Sequence, residues 1–219
     1  MDKVDFKKTL KELYQPPKGT FAHVEVPKMQ FLMIDGRGDP ATSSAYQEAI
    51  EALYGVAYRI KFFSKNELGR DYIVPPLEGL WGSEMMVSEL WEVEDEEEWL
   101  RIFHASDRDE WSWTMMIMQP DWIETSHVET AVEQVQTSKE LPALDRLRRE
   151  HYEEGLCVQT LHIGPYVKEG PILAKMHLDF LPSNGLVENG SHHEIYLSDP
   201  RRSAPEKLKT VLRQPVKKR

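Results

Sequence analysis

Trp111-Ser112-Trp113-Thr114-Met115-Met116-Ile117-Met118-Gln119, closed by Pro120-Asp121, is the most strand-like run in the chain. Aromatic, β-branched and thioether side chains suit a pleated, half-buried ladder, and the proline stops it. Working upstream, Asp71–Trp81 is a second strand candidate. Its Pro75-Pro76 pair forbids a central ladder at that point and predicts an edge, bulge or bend. Ser44 followed by Gln47 has the capping-box spacing, in which each side chain satisfies a free helix-end donor. Tyr46, Ile50, Leu53, Tyr54, Ala57 and Ile60 then recur at three- and four-residue steps, so a helix is expected to end within 64–69. Gln30–Gly36 supplies a leading strand, and Gly36-Arg37-Gly38-Asp39-Pro40 a turn.

Downstream, Ser126 with Glu129 opens a helical stretch toward Gly155, divided at Pro142. Val158–Ile163 is again a strand, Gly164-Pro165 a turn, and Gly170-Pro171 a helix start that leads through Ile172, Leu173, Met176 and Phe180 to a stop at Gly185. His192–Leu197 and Thr210–Gln214 are the last strands. Strand–helix–strand–strand therefore occurs twice, over about 30–119 and 158–214, with two helices between. This order predicts an α+β architecture, antiparallel strands on one side and helices on the other. Residues 1–28 read as an N-terminal helix and arm, broken at Gln15-Pro16-Pro17-Lys18-Gly19. The body follows at 29–216: a first module at about 29–124, linking helices at about 125–155, and a second module at about 156–216. Residues 217–219 are a frayed tail.

The chain has 219 residues, 40% of them apolar and 29% charged, ordinary for a globular protein that buries its own core. No apolar stretch approaches the ~20 residues of a membrane span, so no membrane association is expected. The start, Met1-Asp2-Lys3-Val4-Asp5, carries no secretory pattern. A lone Cys157 excludes a disulfide framework and a multi-cysteine zinc site, and reads as buried packing. The expected address is the cytoplasm, as monomer or homodimer. A net charge of −10 argues against direct nucleic-acid binding, which rests on clustered Lys and Arg. Glu89–Glu98 reads as a solvated loop or helix start, because it lacks the spaced oxygens and turn glycine of a calcium loop.

All six tryptophans fall between Trp81 and Trp122. Trp111 and Trp113, two apart, are expected to share a strand face with Met115. Two readings stand: core packing, or a groove wall that stacks planar and cationic aromatics. Met85, Met86, Met116 and Met118 fit either. Glu78, beside glycine and tryptophan, is either an exposed turn residue or an acceptor for a cationic or hydroxylated ligand. Alternation along His192-His193-Glu194-Ile195-Tyr196 puts His192, Glu194 and Tyr196 on one face, and His193 and Ile195 on the other. An acid in an apolar cleft suits a base or a cation partner. Tyr166 lends a hydroxyl to the same cleft or serves packing. No metal site is expected, since adjacent histidines on a strand point apart, and no dinucleotide loop, phosphate loop or nucleophile elbow is present. No cofactor is expected.

Leu161-His162-Ile163-Gly164-Pro165-Tyr166, Glu169-Gly170-Pro171, His193-Glu194-Ile195-Tyr196-Leu197-Ser198-Asp199-Pro200-Arg201-Arg202 and Leu208-Lys209-Thr210-Val211-Leu212-Arg213-Gln214-Pro215-Val216 together resemble the GyrI-like small-molecule-binding family. Tyr72–Trp81 and Trp111–Asp121 resemble its stand-alone bacterial branch. The resemblance covers most of 30–216. It implies two strand–helix–strand–strand modules in a pseudo-two-fold arrangement, an antiparallel sheet with helices on one side and a ligand groove on the other. Family members serve as effector domains of multidrug-responsive regulators, as a gyrase inhibitor, or as free-standing binders of amphipathic aromatics. In the binders an acid at the position of Glu194 faces the ligand. Some stand-alone members hydrolyse cyclopropane-bearing DNA-alkylating natural products.

Taken with the residue pattern, this makes Glu194, Tyr166 and Tyr196 the expected catalytic groups, and Glu78, Trp81, Trp111, Trp113, Met115 and His192 the expected ligand contacts. On that reading a strained cyclopropane conjugated to a carbonyl stacks on the aromatics while Glu194 activates water. The alternatives are a non-catalytic multidrug sequesterer and a protein–protein module acting on gyrase. Residues 1–28 are too short for a helix-turn-helix unit.

Overall fold

The computed structural model describes residues 3–82, 93, 95–105 and 107–219. Met85, Met86, Trp91 and, of the acidic run, Glu89, Glu92 and Glu94 lie outside the described residues. Nine strands form among the described ones: β1 (Ala22–Val26), β2 (Met29–Arg37), β3 (Leu77–Gly82), β4 (Ser112–Gln119), β5 (Arg148–Tyr152), β6 (Gly155–Ile163), β7 (Leu186–Glu188), β8 (His192–Tyr196) and β9 (Lys209–Lys218). The ladder order is β1-β6-β9-β8-β3-β4-β2-β5, with β7 paired to β9. Every pairing is antiparallel.

The helices are α1 (Phe6–Thr9), α2 (Lys11–Tyr14), α3 (Ser44–Asn66), α4 (Glu96–Ala105), α5 (Thr125–Ser138) and α6 (Gly170–Ala174). A π-helical turn (Lys175–Phe180) and a last turn (Leu181–Ser183) continue α6, and Gly185, at φ +63°, ends it as expected. The order β2-α3-β3-β4 is matched by β6-α6-β8-β9. In the sheet these units appear as β2-β4-β3 and β6-β9-β8, which meet at the β3–β8 ladder. That arrangement is a pseudo-two-fold, with Gly79 opposite Glu194 at mid-ladder.

One sheet face is covered by α3, whose Ala49, Leu53, Val56, Ala57 and Ile60 bury against Leu32, Ile34, Trp113, Met115 and Ile117. On the same face, the α6 region packs Met176 and Leu181 on Val158 and Val216, and Leu173 on Leu212. The opposite face holds Phe31, Met33, Met116, Met118, Ile195 and Val211, capped by Leu13 and Tyr14 of α2. Residues 3–28 thus cover a sheet face and add an edge strand.

Several local expectations shift. The α3 cap is Ser43, not Ser44: its extended backbone lets Oγ accept from the Tyr46 N–H at 3.4 Å. The cap of α5 is Glu124, whose N–H donates to His127 Nδ1 at 3.1 Å, in place of the Ser126–Glu129 box. Residues 148–152, read as helix, form edge strand β5. Pairing with β2 overrides their local preference, and Arg148 bonds Asp35 at 2.8 Å while Arg149 bonds Gln30. The prolines at 75 and 76 precede β3, which is central rather than marginal. Lys217 and Lys218 extend β9 against β7 instead of fraying. Glu96, Glu97 and Glu98 start α4, where negative charge suits the helix N-terminus.

Candidate functional site

The β3–β8 ladder presents Trp81 opposite His192, Gly79 opposite Glu194, and Leu77 opposite Tyr196 on the helix-bearing face. Tyr46 at the start of α3 reaches Trp81 from one side, with ring centroids 6.2 Å apart. From the other side Tyr166, just before α6, meets Tyr196 edge-on at 5.7 Å. Trp111 stands edge-on to Trp81 at 5.9 Å. These rings gather at the seam of the two modules, on the sheet face from which Glu194 projects. The candidate residues therefore share the sheet face with α3 and α6, whereas the sequence places the groove on the face away from the helices.

The seam is wired by short polar contacts. Trp81 Nε1–H donates to the Tyr196 hydroxyl at 3.0 Å. His192 Nε2 lies 3.7 Å from Glu194 Oε1, and the side chains are 18% and 16% exposed, so the acid is neither in open water nor sealed. Burial, and then the negative charge of Glu194, holds the Tyr196 phenol well above its ordinary pKa, and hydrogen bonding to Glu194 adds to this. Burial followed by the Glu194 charge also raises Tyr46. Tyr166 is pushed up to about 12 by burial and the charges of Glu169 and Glu194. All three phenols keep their protons at neutral pH and remain donors. Burial lowers His162, against the pull of the Pro165 carbonyl and Glu194.

Glu169 is a residue the sequence reading missed. It is only 3% exposed, at the N-terminal end of α6. Burial, reinforced by the Glu194 charge and opposed by the Thr210 hydroxyl, raises its carboxyl well above the usual range. Tyr46, Thr210 and His162 were missed as well. Tyr46 falls on the apolar stripe of its helix and reads as core, while an acid ahead of Gly170-Pro171 reads as a solvated cap.

Three expected ligand contacts are elsewhere. Trp113 is 2% exposed beneath α3, where its Nε1–H donates to the Gly38 carbonyl at 3.2 Å. A Cβ at Gly36 would overlap its ring, so glycine there makes the space. Met115 is fully buried in the same core. Glu78 is fully buried on the opposite sheet face, where Oε1 accepts from the Tyr14 hydroxyl at 3.0 Å and Oε2 lies 3.1 Å from His193 Nε2. His193 Nδ1 is 3.0 Å from Glu154, which pairs with Arg213 at 2.9 Å. Arg213 also donates to Gln159 and to the Leu13 carbonyl. The network is structural: it ties α2 to the centre of the sheet. Trp81, Trp111, Tyr166, His192, Glu194 and Tyr196 do come together at the seam. Among the described residues no cluster of three or more His, Cys, Asp or Glu is arranged to hold a metal ion. None of their helices is long and apolar enough to cross a membrane.

Comparison with known proteins bears on this seam. A family model described as the GyrI-like small molecule binding domain matches residues 112–217. Over nearly the whole chain, a solved structure of an uncharacterized conserved protein from Listeria innocua is 40% identical, with a TM-score of 0.82 and coverage of 98% of this chain and 100% of that one. The chain belongs to the GyrI-like small-molecule-binding family. A second GyrI-like relative, described as a hydrolase from Listeria innocua, is 38% identical, with a TM-score of 0.80 and coverage of 98% and 100%. The C-terminal domain of EcmrR shares the fold alone, at 12% identity and a TM-score of 0.51 over 91% of this chain and 98% of that one. No curated protein matches the chain.

Proposed function

We propose that this GyrI-like chain binds amphipathic aromatic molecules, often cationic, at the seam, and hydrolyses cyclopropane-bearing electrophiles there as a cytoplasmic defence against xenobiotics. The observation that carries the reading is a part-exposed Glu194 among the seam rings, with His192 Nε2 3.7 Å from its Oε1 and Tyr196 on the same strand face. Similarity to a protein described as a hydrolase supports the catalytic half.

Trp81, Trp111 and Tyr166 supply ring faces for a planar substrate. Water held by Glu194 attacks the cyclopropane CH₂, the strained C–C bond breaks, and its electrons pass into the conjugated carbonyl. Glu194 takes the water proton and releases it to solvent, and the carbonyl oxygen, held by a hydroxyl donor, takes one from solvent as it becomes a hydroxyl. Tyr196 accepts from Trp81 on the strand face it shares with Glu194, so it is assigned a positioning role, whereas Tyr166, 37% exposed, has a hydroxyl for the substrate carbonyl. Positioned base catalysis of this type contributes about 10²–10⁴-fold.

Incubating the protein with a cyclopropane-bearing dienone and following the ring-opened, water-added product by mass spectrometry tests the reaction. Glu194→Gln is expected to slow turnover by about 10²–10⁴-fold while still quenching tryptophan fluorescence on binding. Turnover by the variant at the wild-type rate would exclude Glu194 as the base. Quenching without product in the wild type would leave a sequestering protein.

A further inference from the structure

Among the described residues, three histidines stand against glutamates, and they are not alike. His177 Nδ1 lies 2.7 Å from Glu188 Oε1, and His193 is held at 3.0 Å by Glu154 and at 3.1 Å by Glu78. Those contacts are closed. His192 Nε2 stands 3.7 Å from Glu194 Oε1, too far for a hydrogen bond. Both nitrogens of the His192 ring are buried, and neither has a hydrogen-bond partner among the described residues. A buried imidazole left unbonded beside an acid calls for a physical reason. A polar separation just beyond 3.5 Å is one that a single water bridges, at about 2.8 Å from each group. The two side chains are 18% and 16% exposed, so solvent reaches the pair. They lie on the sheet face of the seam rings, His192 opposite Trp81 and Glu194 opposite Gly79.

We propose that His192 is a positioning residue for the attacking water, the second arm of a two-point cradle whose first arm is Glu194. The inference rests on the hydrolytic half of the function proposed above. Water donates one hydrogen to Glu194 and the other to the lone pair of His192 Nε2, the imidazole proton being on Nδ1. With both hydrogens held, the oxygen lone pairs turn away from these two groups and toward the guest on the seam rings. As the C–O bond forms, the first hydrogen passes to Glu194 as a proton and the strained C–C bond breaks. The second stays on oxygen, still bonded to His192, and leaves with the product alcohol. His192 therefore neither gains nor loses a proton; it sets the direction of attack. A nucleophile with a single O–H, such as methanol, uses Glu194 alone and gains nothing from His192. The cradle thereby favours water over alcohols.

Competition between water and methanol for a cyclopropane-bearing dienone tests this on the full chain, with the alcohol and methyl ether products counted by mass spectrometry. His192→Phe removes both nitrogens at similar shape. It is expected to move the product ratio toward the ether by about 2–10-fold, the range for one lost hydrogen bond. The kcat of the water reaction falls by the same factor, with KM little changed. His192→Gln presents a carbonyl acceptor and is expected to keep the ratio near its wild-type value. Both products come from the same folded molecules, so a loss of folded protein does not move the ratio. An unchanged ratio in His192→Phe, or a raised KM at constant ratio, would overturn the proposal and leave His192 a ligand contact of a working hydrolase. Wild-type protein that forms neither product would overturn the hydrolytic reading and the proposal together.

Discussion

Glu78 and Glu194 stand one ladder step apart on β3 and β8, yet their carboxyls lie on opposite faces of the sheet. Glu78 pairs in register with Ile195, and Gly79 with Glu194. One acid is locked into a buried polar network beneath α2, and the other stands part-exposed at the seam.

Tyr14→Phe deletes the donor to Glu78 and leaves a buried acceptor short of a partner. The expected loss is about 1–3 kcal/mol of stability, with ligand binding at the seam unchanged. Urea unfolding beside tryptophan quenching measures both; a binding defect as large as the stability defect would contradict the two-face assignment.

Two tryptophans should separate cleanly. Trp113→Ala empties core space beneath α3 and is expected to cost about 3–5 kcal/mol. Trp81→Ala removes a partly buried ring at the seam and the hydrogen bond to Tyr196. Its main effect is expected on aromatic-ligand affinity, read by calorimetry, with a smaller shift in thermal unfolding.

Stability should fall on both sides of a mildly acidic optimum. Burial alone would raise the Glu154 carboxyl, but the charge and hydrogen bond of His193, with those of Arg213, outweigh it and hold it at about 2. That contribution, on the order of a few kcal/mol, is present above the ordinary value of 4.5 and is lost as pH falls toward 2. Burial works against the charged His193 ring, yet Glu154 and Glu78 raise its pKa above 6.5. Its contribution is full below 6.5 and disappears as pH rises through the raised value. Urea midpoints measured across pH check both limbs, and His193→Gln is expected to flatten the alkaline one.

The cap of α3 offers a local check. Ser43→Ala is expected to cost about 1 kcal/mol and Ser44→Ala a few tenths, by thermal unfolding. The reverse order would place the helix start one residue later.

Much of this was legible in the chain. The alternation at 192–196 and 112–119, the 3.6-residue stripe from Tyr46 to Ile60, and their repeated order led to the two-module sheet and to the grouping of His192, Glu194 and Tyr196. Alternation assigns residues to two faces but does not say which helix covers each, so Glu78 was credited to the ligand although α2 seals it. Trp111 and Trp113 were paired by spacing, but β4 begins at Ser112, which leaves Trp111 on the rim while Trp113 enters the core. β5 was unreadable because its strand state is imposed by β2 rather than by its own composition.

The near-symmetry of the seam has a consequence for recognition. The backbone is two-fold there, but the chemistry is lopsided: a bare glycine on β3 faces an acid on β8, and Trp81 faces His192. A Cβ at Gly79 would lie 3.1 Å from both Met115 Sδ and Trp81 Nε1, so a side chain there would crowd its neighbours. On the function proposed above, a flat guest with charge at one end is expected to meet unlike edges there and to take one seating instead of two interchangeable ones.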